Sequence, residues 1–456
     1  MKVTAVLLAA GQGTRMKSDL PKVLHPICGR PMIWHVLRAL NSAATEKPVV
    51  VVGYGAEQVQ EYLGDSADCV LQEHQLGTGH AVMQAESVLR GKTDYVIVAY
   101  ADMPLLRGEA FNRLVETQRH NPGPLSLVTA IADDPRGFGR ILRKPDGTVE
   151  AIVEEYVATP EQRKIKELNV GAYCFKADWL WDALHRIQKN PRKGEYYLTD
   201  IVEVAVQDNL PVQPVIQHNL AETIGINTRV HLSEAEAAMR LRINREYMLD
   251  GVSMTNPASA YIEIGVKIGK DTVIFPNTHI QGDTEIGEGN VIGPNTIIRD
   301  SKIGNRCKIL ASVVEGAVIE DDVDMGPFAR LRKGAHLKSH VHMGNFGEVK
   351  DSTLHEGVKM GHFSYIGNAI VGANTNIGAG TITANYDGEK KNATEIGEDA
   401  FIGSDTMLVA PLKLGDGART GAGAVVTKNV PDDTLVVGMP ARAIRKLERK
   451  NKKNHH

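Results

Sequence analysis

The first residues that could do chemistry form a small, glycine-containing loop directly after an apolar run. The strand-like run Val3–Ala9 leads into the loop A-G-Q-G-T-R-M at positions 10–16. Small residues let backbone N–H groups approach phosphate oxygens, and a following helix N-terminus adds a favourable dipole. Arg15 and Lys22 add positive charge beside this loop. The segment therefore predicts a cradle for a polyphosphate.

Loops of similar composition also bind other ligands or none. Met16 stands where the dinucleotide-binding fingerprint has its third Gly or Ala, and no P-loop Gly-Lys-Ser/Thr follows. A plain strand-to-helix turn, with Arg15 and Lys22 as solvated charges, is the remaining alternative. Asp102 directly follows the buried-strand pattern Val96–Ala101 and is a plausible ligand for a hard cation, whereas Asn227 by itself reads as a turn residue.

A second set of candidate residues sits in a six-residue repeat. If Leu331 and Val349 point inward, Arg332 and Lys350 occupy equivalent positions one coil apart. Neighbouring parallel strands lie roughly 4.8 Å apart, and two cations that close repel each other unless an anion lies between them. We therefore expect an anion site, for which a sugar phosphate is the obvious candidate; a solvated, lysine-blunted edge is the alternative.

His362 lies in the segment M-G-H-F-S-Y of the same repeat. With Met360 pointing inward, His362 points outward, in register with Asn345 one coil below. A single outward histidine among sixteen is more often a plain surface residue. This phasing places His362 on a different face from Arg332 and Lys350, so a site that used all three would lie at an edge or between subunits.

The repeat itself consists of aliphatic residues at every sixth position beyond Tyr261, and a fixed short period is typical of a solenoid. Each hexad predicts a short strand with its aliphatic residue in a narrow core and a corner at which Gly allows a tight turn. Three hexads make one coil. The segment Thr383–Glu395 is expected to loop out. The repeat positions are Ile268, Ile274, Ile280, Ile286, Ile292, Ile298, then Met325, Leu331, Leu337, Met343, Val349, then Ile396, Ile402, Leu408, Leu414, Thr420 and Val426.

Residues 1–228 instead alternate strand and helix patterns, which favours an α/β sheet with covering helices. Residues 229–250 predict a linking helix that Gly251 ends. We therefore expect an α/β domain at 1–228, a helical linker at 229–250 and a repeat domain with a basic tail at 251–456. The strand patterns are Val3–Ala9, Val49–Val52, Val96–Ala101 and Leu125–Ala130, and the helix patterns are Pro31–Leu40 and Thr78–Leu89.

The composition of the 456 residues is that of an ordinary globular protein, with 42% hydrophobic and 23% charged residues. A formal net charge of −3 gives no general drive toward nucleic acid or an acidic membrane, and no apolar run approaches the roughly 18 residues of a membrane helix. The four cysteines form no C-x-x-C pair, so we expect inert thiols in a reducing cytosol. The basic tail Arg442–Lys453 is either a solvated end or a contact for the phosphate groups of a ligand.

Several motifs of the first half resemble those of the sugar nucleotidyltransferases, whose fold is a Rossmann-like nucleotide-binding α/β domain. They are L-A-A-G-Q-G-T-R-M (8–16) with Pro21-Lys22, Gln72, Q-L-G-T-G (75–79), Y-A-D (100–102), G-F-G-R (137–140), Val153-Glu154, E-L-N-V-G (167–171), G-E-Y-Y-L-T-D (194–200) and G-I-N-T-R (225–229). The second half resembles the hexapeptide-repeat, left-handed parallel β-helix. Nearly the whole chain is similar to bacterial bifunctional enzymes that combine an N-acetylglucosamine-1-phosphate uridyltransferase with a glucosamine-1-phosphate acetyltransferase.

That resemblance implies roles in uridyl transfer from UTP to N-acetylglucosamine 1-phosphate. Arg15 and Lys22 would stabilise the triphosphate and the leaving pyrophosphate, and Asp102 and Asn227 would ligate Mg²⁺. The residues implied to hold the uridine nucleotide are Leu8, Ala9, Ala10, Gly11, Gln72, Gly77 and Thr78. Those implied on the sugar side are Tyr100, Ala101, Gly139, Glu154 and Asn169. Ala101 and Val170 replace a Gly and a Thr that are usual in the family, so sugar packing could differ.

For acetyl transfer, the resemblance makes His362 the general base that accepts a proton from the glucosamine amine. It assigns the sugar phosphate to Arg332, Lys350, Tyr365 and Asn376. It assigns acetyl-coenzyme A to Ala379, Asn385, Tyr386, Ser404 and Ala422. It further implies a cytoplasmic homotrimer that supplies bacterial envelope synthesis and binds neither nucleic acid nor membrane.

Two alternatives remain at this point. The first is a nucleotidyltransferase with a single activity and a purely structural β-helix, against which His362, Lys350 and the N-Y-D-G segment (385–388) argue. The second is a non-catalytic assembly subunit, against which Arg15, Lys22 and Asp102 argue.

Overall fold

The apolar runs of the first half form one mixed sheet in the computed structural model, which describes residues 1–191 and 193–446. The chain divides into two units, Met1–Met239 and Arg240–His456. The strands of the first unit are β1 (Val3–Leu8), β2 (Pro26–Ile27), β3 (Arg30–Pro31), β4 (Val49–Val52), β5 (Asp68–Leu71), β6 (Tyr95–Tyr100), β7 (Leu125–Ile131), β8 (Arg140–Arg143), β9 (Val149–Val153), β10 (Glu167–Lys176) and β11 (Val212–Ile216).

The main sheet has the order β11-β7-β10-β6-β1-β4-β5, with the β8–β9 hairpin attached to β10. Strand β1 pairs in parallel with β4 on one side and with β6 on the other. The chain therefore reverses its direction of progress at β1, and the carboxyl end of such a switch strand is where open α/β sheets bind ligands. The glycine-containing loop at residues 10–16 comes shortly after this end of β1.

The helices of this unit cover both faces of the sheet, which explains why the central strands read as continuous apolar runs rather than alternating ones. Val6 and Leu8 lie in the core on one face, and Ala5 and Leu7 lie in the core on the other. The helices are α1 (Met32–Leu40), α2 (Ala56–Leu63), α3 (Thr78–Met83), α4 (Glu86–Leu89), α5 (Gly108–His120), α6 (Ala177–Leu184) and α7 (Ile201–Gln207), followed by α8 (Arg229–Leu249).

Most predicted elements of this half are confirmed to within one or two residues. The single helix expected over Thr78–Leu89 is wrong, because the chain forms α3 and α4 with a break at Gln84-Ala85. The linking helix is confirmed as α8, and Gly251 follows its end with φ of +93°. The boundary between the two units falls within α8.

The second half is a parallel β-helix whose successive short strands visit three sheets in turn. The first face contains Ser253–Met254, Val273–Ile274, Val291–Ile292, Lys308–Ile309, Asp324–Met325, His342–Met343, Lys359–Met360, Asn376–Ile377, Phe401–Ile402, Arg419–Thr420, Thr434–Val437 and Arg442–Lys446. The second face contains Ala260–Ile262, Thr278–Gln281, Ile297–Arg299, Val313–Glu315, Arg330–Leu331, Gly347–Lys350, Ser364–Gly367, Ile382–Ala384, Met407–Val409 and Val425–Val426. The third face contains Lys267–Ile268, Glu285–Ile286, Lys302–Ile303, Val318–Ile319, His336–Leu337, Thr353–Leu354, Ala369–Val371, Thr394–Ile396 and Leu412–Leu414.

The predicted hexad positions line the core of this β-helix and are buried, except for the half-buried Ile268 in the first coil. The gap in the predicted series between Ile298 and Met325 is not a gap in the structure. Ile303, Ile309, Val314 and Ile319 continue the core there. Several corners in this stretch are one residue shorter, so the sequence spacing falls from six to five while the strand pairing persists.

Two further expectations have outcomes in this structure. None of the described helices is long and apolar enough to cross a membrane. The basic tail forms the strand Arg442–Lys446, which pairs antiparallel to Thr434–Val437 at the end of the first face; the part of the predicted tail after Lys446 lies outside the described residues.

Candidate active sites

Three predicted residues of the first site converge on one point at the carboxyl edge of the sheet. The Lys22 ammonium lies 2.6 Å from a carboxylate oxygen of Asp102 and 3.3 Å from the amide oxygen of Asn227. Asp102 follows β6, and its backbone carbonyl accepts a hydrogen bond from the N–H of Ile226, beside Asn227. Asp102 and Asn227 lie 80 and 205 positions after Lys22 in the chain, yet the three side chains form one polar cluster.

The glycine loop leaves room for the lysine of this cluster. Gly13 has φ of +65°, and a Cβ at this position would lie 2.7 Å from the Cβ of Lys22. A side chain here would therefore displace Lys22, which gives a steric reason for Gly in the loop. Arg15 is exposed, and no carboxylate among the described residues forms an ion pair with it. Its charge is available to a ligand.

The residues expected to hold the uridine nucleotide surround the start of α3. Gln72 is buried, and its amide donates to the carbonyl of Gly77 over 3.1 Å. Gly77 has φ of +102°, and a Cβ there would lie 2.4 Å from the carbonyl oxygen of Tyr196. The hydroxyl of Thr78 accepts a hydrogen bond from the N–H of Leu198. Leu8, Ala9 and Ala10 are buried at the end of β1, and Gly11 is exposed with open space where a Cβ would be.

A chain of hydroxyl and amide groups links residues expected to hold the uridine to residues expected on the sugar side. The Tyr100 hydroxyl bonds to Thr78 and to Tyr173. The amide of Asn169 donates to the Tyr173 hydroxyl over 2.7 Å, and its oxygen accepts from the N–H of Gly171. Burial, reinforced by the nearby Glu154 carboxylate, raises the pKa of Tyr100 well above its usual value, so the phenol stays protonated and can donate.

Gly139 and Glu154 are also expected on the sugar side, and Gly139 lies close to Asn169 and to Glu154. The carbonyl of Gly139 accepts from the N–H of Asn169 at 2.9 Å, and a Cβ on Gly139 would come within 3.8 Å of the Glu154 carboxylate. Burial raises the pKa of Glu154, opposed by a hydrogen bond from Thr199. The two departures from the family pattern, Ala101 and Val170, are both buried beside these residues and carry no polar side-chain atom.

The second site contains a cluster of three cations on the second face of the β-helix. Arg332 and Lys350 are in equivalent positions of adjacent strands, as predicted. Arg332 pairs with Glu348 at 3.0 Å. Contact with the Lys391 ammonium, together with burial and the Arg332 charge, lowers the pKa of Lys350. Lys391 lies in the looped-out segment, outside the six-residue repeat. The sequence pattern therefore did not identify it as a member of this cluster.

His362 lies in the turn between Lys359–Met360 of the first face and Ser364–Gly367 of the second. The turn leads from the first face onto the second, which carries Arg332 and Lys350. The structure therefore places this exposed histidine at the edge between the first and second faces.

Three of the residues expected to bind acetyl-coenzyme A continue the position of His362 along the same edge. Strand pairing aligns Met360 with Ile377, and Ile377 with Ile402. The residues two positions after Met360, Ile377, Ile402 and the inward Thr420 therefore lie one above another in a column. Each belongs to the next coil of the β-helix, and successive coils are about 4.8 Å apart. The column contains His362, Ala379, Ser404 and Ala422. Ala379, Ser404 and Ala422 have small side chains, so little side-chain volume lies along this edge above His362.

Tyr365 and Asn385 approach each other above Gly367 on the second face. A Cβ on Gly367 would lie 2.4 Å from the Tyr365 hydroxyl and 2.8 Å from the Asn385 amide nitrogen. The Asn385 amide donates to the side-chain oxygen of Asn368 at 2.7 Å, so its side chain is already engaged. Asn376, half-buried on the first face, pairs with Lys359 in the strand that precedes His362.

The looped-out segment is shorter than expected, because Ile382–Ala384 and Thr394–Ile396 are strands. It forms a small hairpin in which Tyr386 pairs with Lys391. The Asp387 carboxylate accepts from the N–H groups of Glu389 and Lys390, and these bonds lower its pKa to about 2. Tyr386 is exposed, and Lys391 is directed to the cation cluster by this fold.

An exposed aromatic column lies immediately beside His362. Phe328, Phe346 and Phe363 each follow an aligned inward methionine by three residues, so they lie in successive coils. They are 61%, 59% and 57% exposed, and the first two rings stack with centroids 5.4 Å apart. Phe328 and Phe346 have positive φ values, which are uncommon for bulky residues.

Comparison with known proteins matches both halves of the chain. Residues 5–184 match the MobA-like NTP transferase domain, and residues 265–300 match the bacterial transferase hexapeptide (six repeats). The chain is 44% identical over 452 residues to the "Bifunctional protein GlmU" of Streptococcus agalactiae serotype V, covering 99% of this chain and 98% of that protein. It is 48% identical over 446 residues to the protein of the same name from Geobacillus thermodenitrificans, covering 98% and 97%.

Proposed function

The chain belongs to the family of bifunctional GlmU proteins and is an enzyme with two transferase activities, UDP-N-acetylglucosamine pyrophosphorylase and glucosamine-1-phosphate acetyltransferase; we propose here which residues perform each reaction. The proposal assigns uridyl transfer to residues 1–228 and acetyl transfer to residues 251–456, joined by the linker 229–250. The observation that carries it is the presence in one chain of two clusters. They are Lys22 with Asp102 and Asn227 in the first half, and the cations Arg332, Lys350 and Lys391 on the β-helix whose edge carries His362.

In uridyl transfer, a phosphate oxygen of N-acetylglucosamine 1-phosphate attacks the α-phosphorus of UTP. The bond from that phosphorus to the bridging oxygen breaks, and pyrophosphate leaves. The nucleophile is already anionic, so catalysis requires positioning and charge neutralisation rather than a general base. Lys22, held 2.6 Å from Asp102, and the exposed Arg15 supply positive charge where the triphosphate lies.

Asp102 and Asn227 would hold Mg²⁺. Their oxygens already converge on a single cation, the Lys22 ammonium, and oxygen ligands are those that Mg²⁺ prefers. When bound, such an ion neutralises developing negative charge on phosphate oxygens. Lys22 would then pair with phosphate rather than with the two oxygens. The uridine lies against Leu8, Ala9, Ala10, Gly11, Gln72, Gly77 and Thr78, and the sugar lies against Tyr100, Ala101, Gly139, Glu154 and Asn169.

In acetyl transfer, the amine nitrogen of glucosamine 1-phosphate attacks the thioester carbon of acetyl-coenzyme A. The nitrogen loses a proton to His362, the carbon–sulfur bond breaks, and the proton passes to the departing sulfur. Arg332, Lys350, Tyr365 and Asn376 bind the sugar phosphate, and Lys391 joins them because it already contacts Lys350. Ala379, Asn385, Tyr386, Ser404 and Ala422 bind the coenzyme along the edge that carries His362.

We propose a homotrimer in which the Phe328, Phe346 and Phe363 column is buried against a neighbouring copy. Exposed, stacked aromatic rings of this extent mark an interaction surface. Because the column adjoins His362, the neighbour would form one wall of the acetyltransferase site. Phe346→Asp should give a native mass near the 49.6 kDa of one chain and lose acetyl transfer; a trimer that persists with full activity would contradict this surface. The cytoplasm, where UTP and acetyl-coenzyme A occur, is the proposed compartment.

The two activities are tested by supplying glucosamine 1-phosphate, acetyl-coenzyme A, UTP and Mg²⁺, and then omitting each in turn. His362→Ala should lower coenzyme A release by about 10²–10⁴-fold and leave uridyl transfer to N-acetylglucosamine 1-phosphate intact. His355→Ala, an exposed histidine of the same β-helix, is the matched control. Loss of both activities in His362→Ala would argue against separate sites, and an unchanged acetyl transfer rate would exclude His362 as the base.

A further inference from the structure

Arg229, the first residue of α8, contacts two of the segments that carry the uridyltransferase residues. Its Nε donates to the backbone carbonyl of Met16 over 3.2 Å, and its Nη1 lies 3.2 Å from Nδ1 of His25. Met16 is the residue after Arg15, and His25 closes the turn that begins at Lys22. One guanidinium thus joins the Arg15 turn and the Lys22 turn.

Arg229 also restrains the third segment of the site, the one that carries Asn227, because the two residues are close in the chain. Asn227, two residues before Arg229, accepts a hydrogen bond from Lys22. Thr228, between them, accepts a hydrogen bond from the N–H of His231 and so orders the first turn of α8. The Lys22, Arg15 and Asn227 segments therefore meet at a single side chain.

The hydrogen bond between Arg229 and His25 can have only one direction, from Arg229 as donor to His25 as acceptor. A guanidinium has only donors, so Nδ1 of His25 must accept and the imidazole must be neutral. His25 is buried, and burial together with the Arg229 charge lowers its pKa, which keeps it neutral near pH 7. The imidazole is thus a stable acceptor for the guanidinium.

A second contact from α8 supports the same segment. The carboxylate of Glu236 accepts from the N–H of Cys28 at 2.8 Å. Arg229 and Glu236 are seven residues, or about two turns, apart and lie on the same side of the helix. The first two turns of α8 therefore hold the chain from Lys22 to Cys28 at two points, His25 and Cys28.

We propose that Arg229 is a positioning residue for uridyl transfer, which holds Arg15, Lys22 and Asn227 in their mutual geometry and acts through them. This inference rests on the proposed function of those three residues. Displacement of a catalytic group by about 1 Å can lower a rate by roughly 10²-fold. Arg229→Ala should therefore lower kcat of uridyl transfer by about 10- to 100-fold, with KM for UTP changed by less than about threefold and acetyl transfer unchanged.

The decisive measurement is a cycle of Arg229→Ala, Lys22→Ala and the double variant. If Arg229 acts through Lys22, the double variant should be little slower than Lys22→Ala alone. Multiplicative losses, or a wild-type kcat in Arg229→Ala, would overturn the inference. If Lys22→Ala itself retains full uridyl transfer, the proposed function fails instead, so the two failures are distinguishable.

Folding is controlled in two ways. Arg229→Lys keeps the charge but has a single nitrogen, which cannot donate to both acceptors in the same geometry; it should also lose kcat rather than raise KM, and it replaces the alanine variant if that variant does not fold. Arg119→Ala, an exposed arginine on α5 paired with Glu116, should leave both kinetic constants unchanged. An Arg229→Lys variant with wild-type kcat would also contradict the proposal.

Discussion

Replacing Gly171 with alanine should disturb the polar chain that joins the two halves of the uridyltransferase site. Gly171 lies in an irregularity of β10, between Asn169 and Tyr173, where the pairing with β7 shifts register. Its φ is +82°, and a Cβ there would lie 2.4 Å from the ring of Tyr100. The substitution therefore imposes backbone strain and a steric overlap at the same residue.

The two effects can be estimated separately. A non-glycine residue in the left-handed region costs about 1–2 kcal/mol, and over-packing against a fixed side chain costs typically about 1–3 kcal/mol. Their sum predicts that Gly171→Ala lowers the free energy of unfolding of the first unit by about 2–5 kcal/mol. Because Tyr100 bonds to Thr78 and Tyr173, its displacement should also slow uridyl transfer, while acetyl transfer stays unchanged.

The assay is denaturant unfolding followed by the tryptophans of the first unit, with both activities measured on the same preparation. Gly147→Ala is the matched control, since Gly147 has φ of +86° and nothing within 4 Å of its would-be Cβ. It should show the backbone cost alone and keep full activity. Equal destabilisation by Gly171→Ala and Gly147→Ala, with wild-type uridyl transfer in both, would refute the reasoning about Tyr100.

Two further outcomes are expected. Lys350→Gln should raise KM for glucosamine 1-phosphate by roughly 10- to 100-fold, the effect of a lost hydrogen bond to a charged group, with little change in kcat; a wild-type KM in steady-state kinetics would remove Lys350 from the anion site. Burial, with Glu203 and Glu154 nearby, raises the pKa of Asp200 from 3.8 to about 6, so the native state binds the extra proton and loses stability as pH rises through 6. Asp200→Asn should therefore raise the thermal midpoint of the first unit at pH 8 but hardly at pH 4, and an equal shift at both would show that charge is not the cause.

The core of the β-helix could be predicted from sequence because its period is simple. Ile274, Leu331 and Leu408 were placed correctly, since each hexad repeats the same inward position. Ile303 and Val314 escaped the pattern because shortened corners change the sequence spacing without changing the pairing. Periodicity therefore predicts strands well and corner lengths poorly.

The site residues show a different limit. Asn227 read alone is a turn residue, and only its meeting with Lys22 and Asp102 in three dimensions gives it a polar role. Lys391 reaches the cation cluster through a hairpin that interrupts the six-residue repeat. The repeat pattern therefore could not predict its position. The motif G-I-N-T-R (225–229) includes Arg229, but nothing in the sequence indicated its contact with His25, since that contact joins segments some 200 residues apart. Long-range contacts between irregular segments are what a local pattern does not encode.

The antiparallel strand Arg442–Lys446 has a consequence for how these molecules behave in concentrated solution. A parallel solenoid ends in unpaired backbone groups that could template another chain end to end. Here Thr434–Val437, the last parallel strand of the first face, is instead paired by a short strand of opposite direction that carries three basic residues. The positive charge and the antiparallel direction of the strand Arg442–Lys446 disfavour end-to-end stacking of these molecules through the first face.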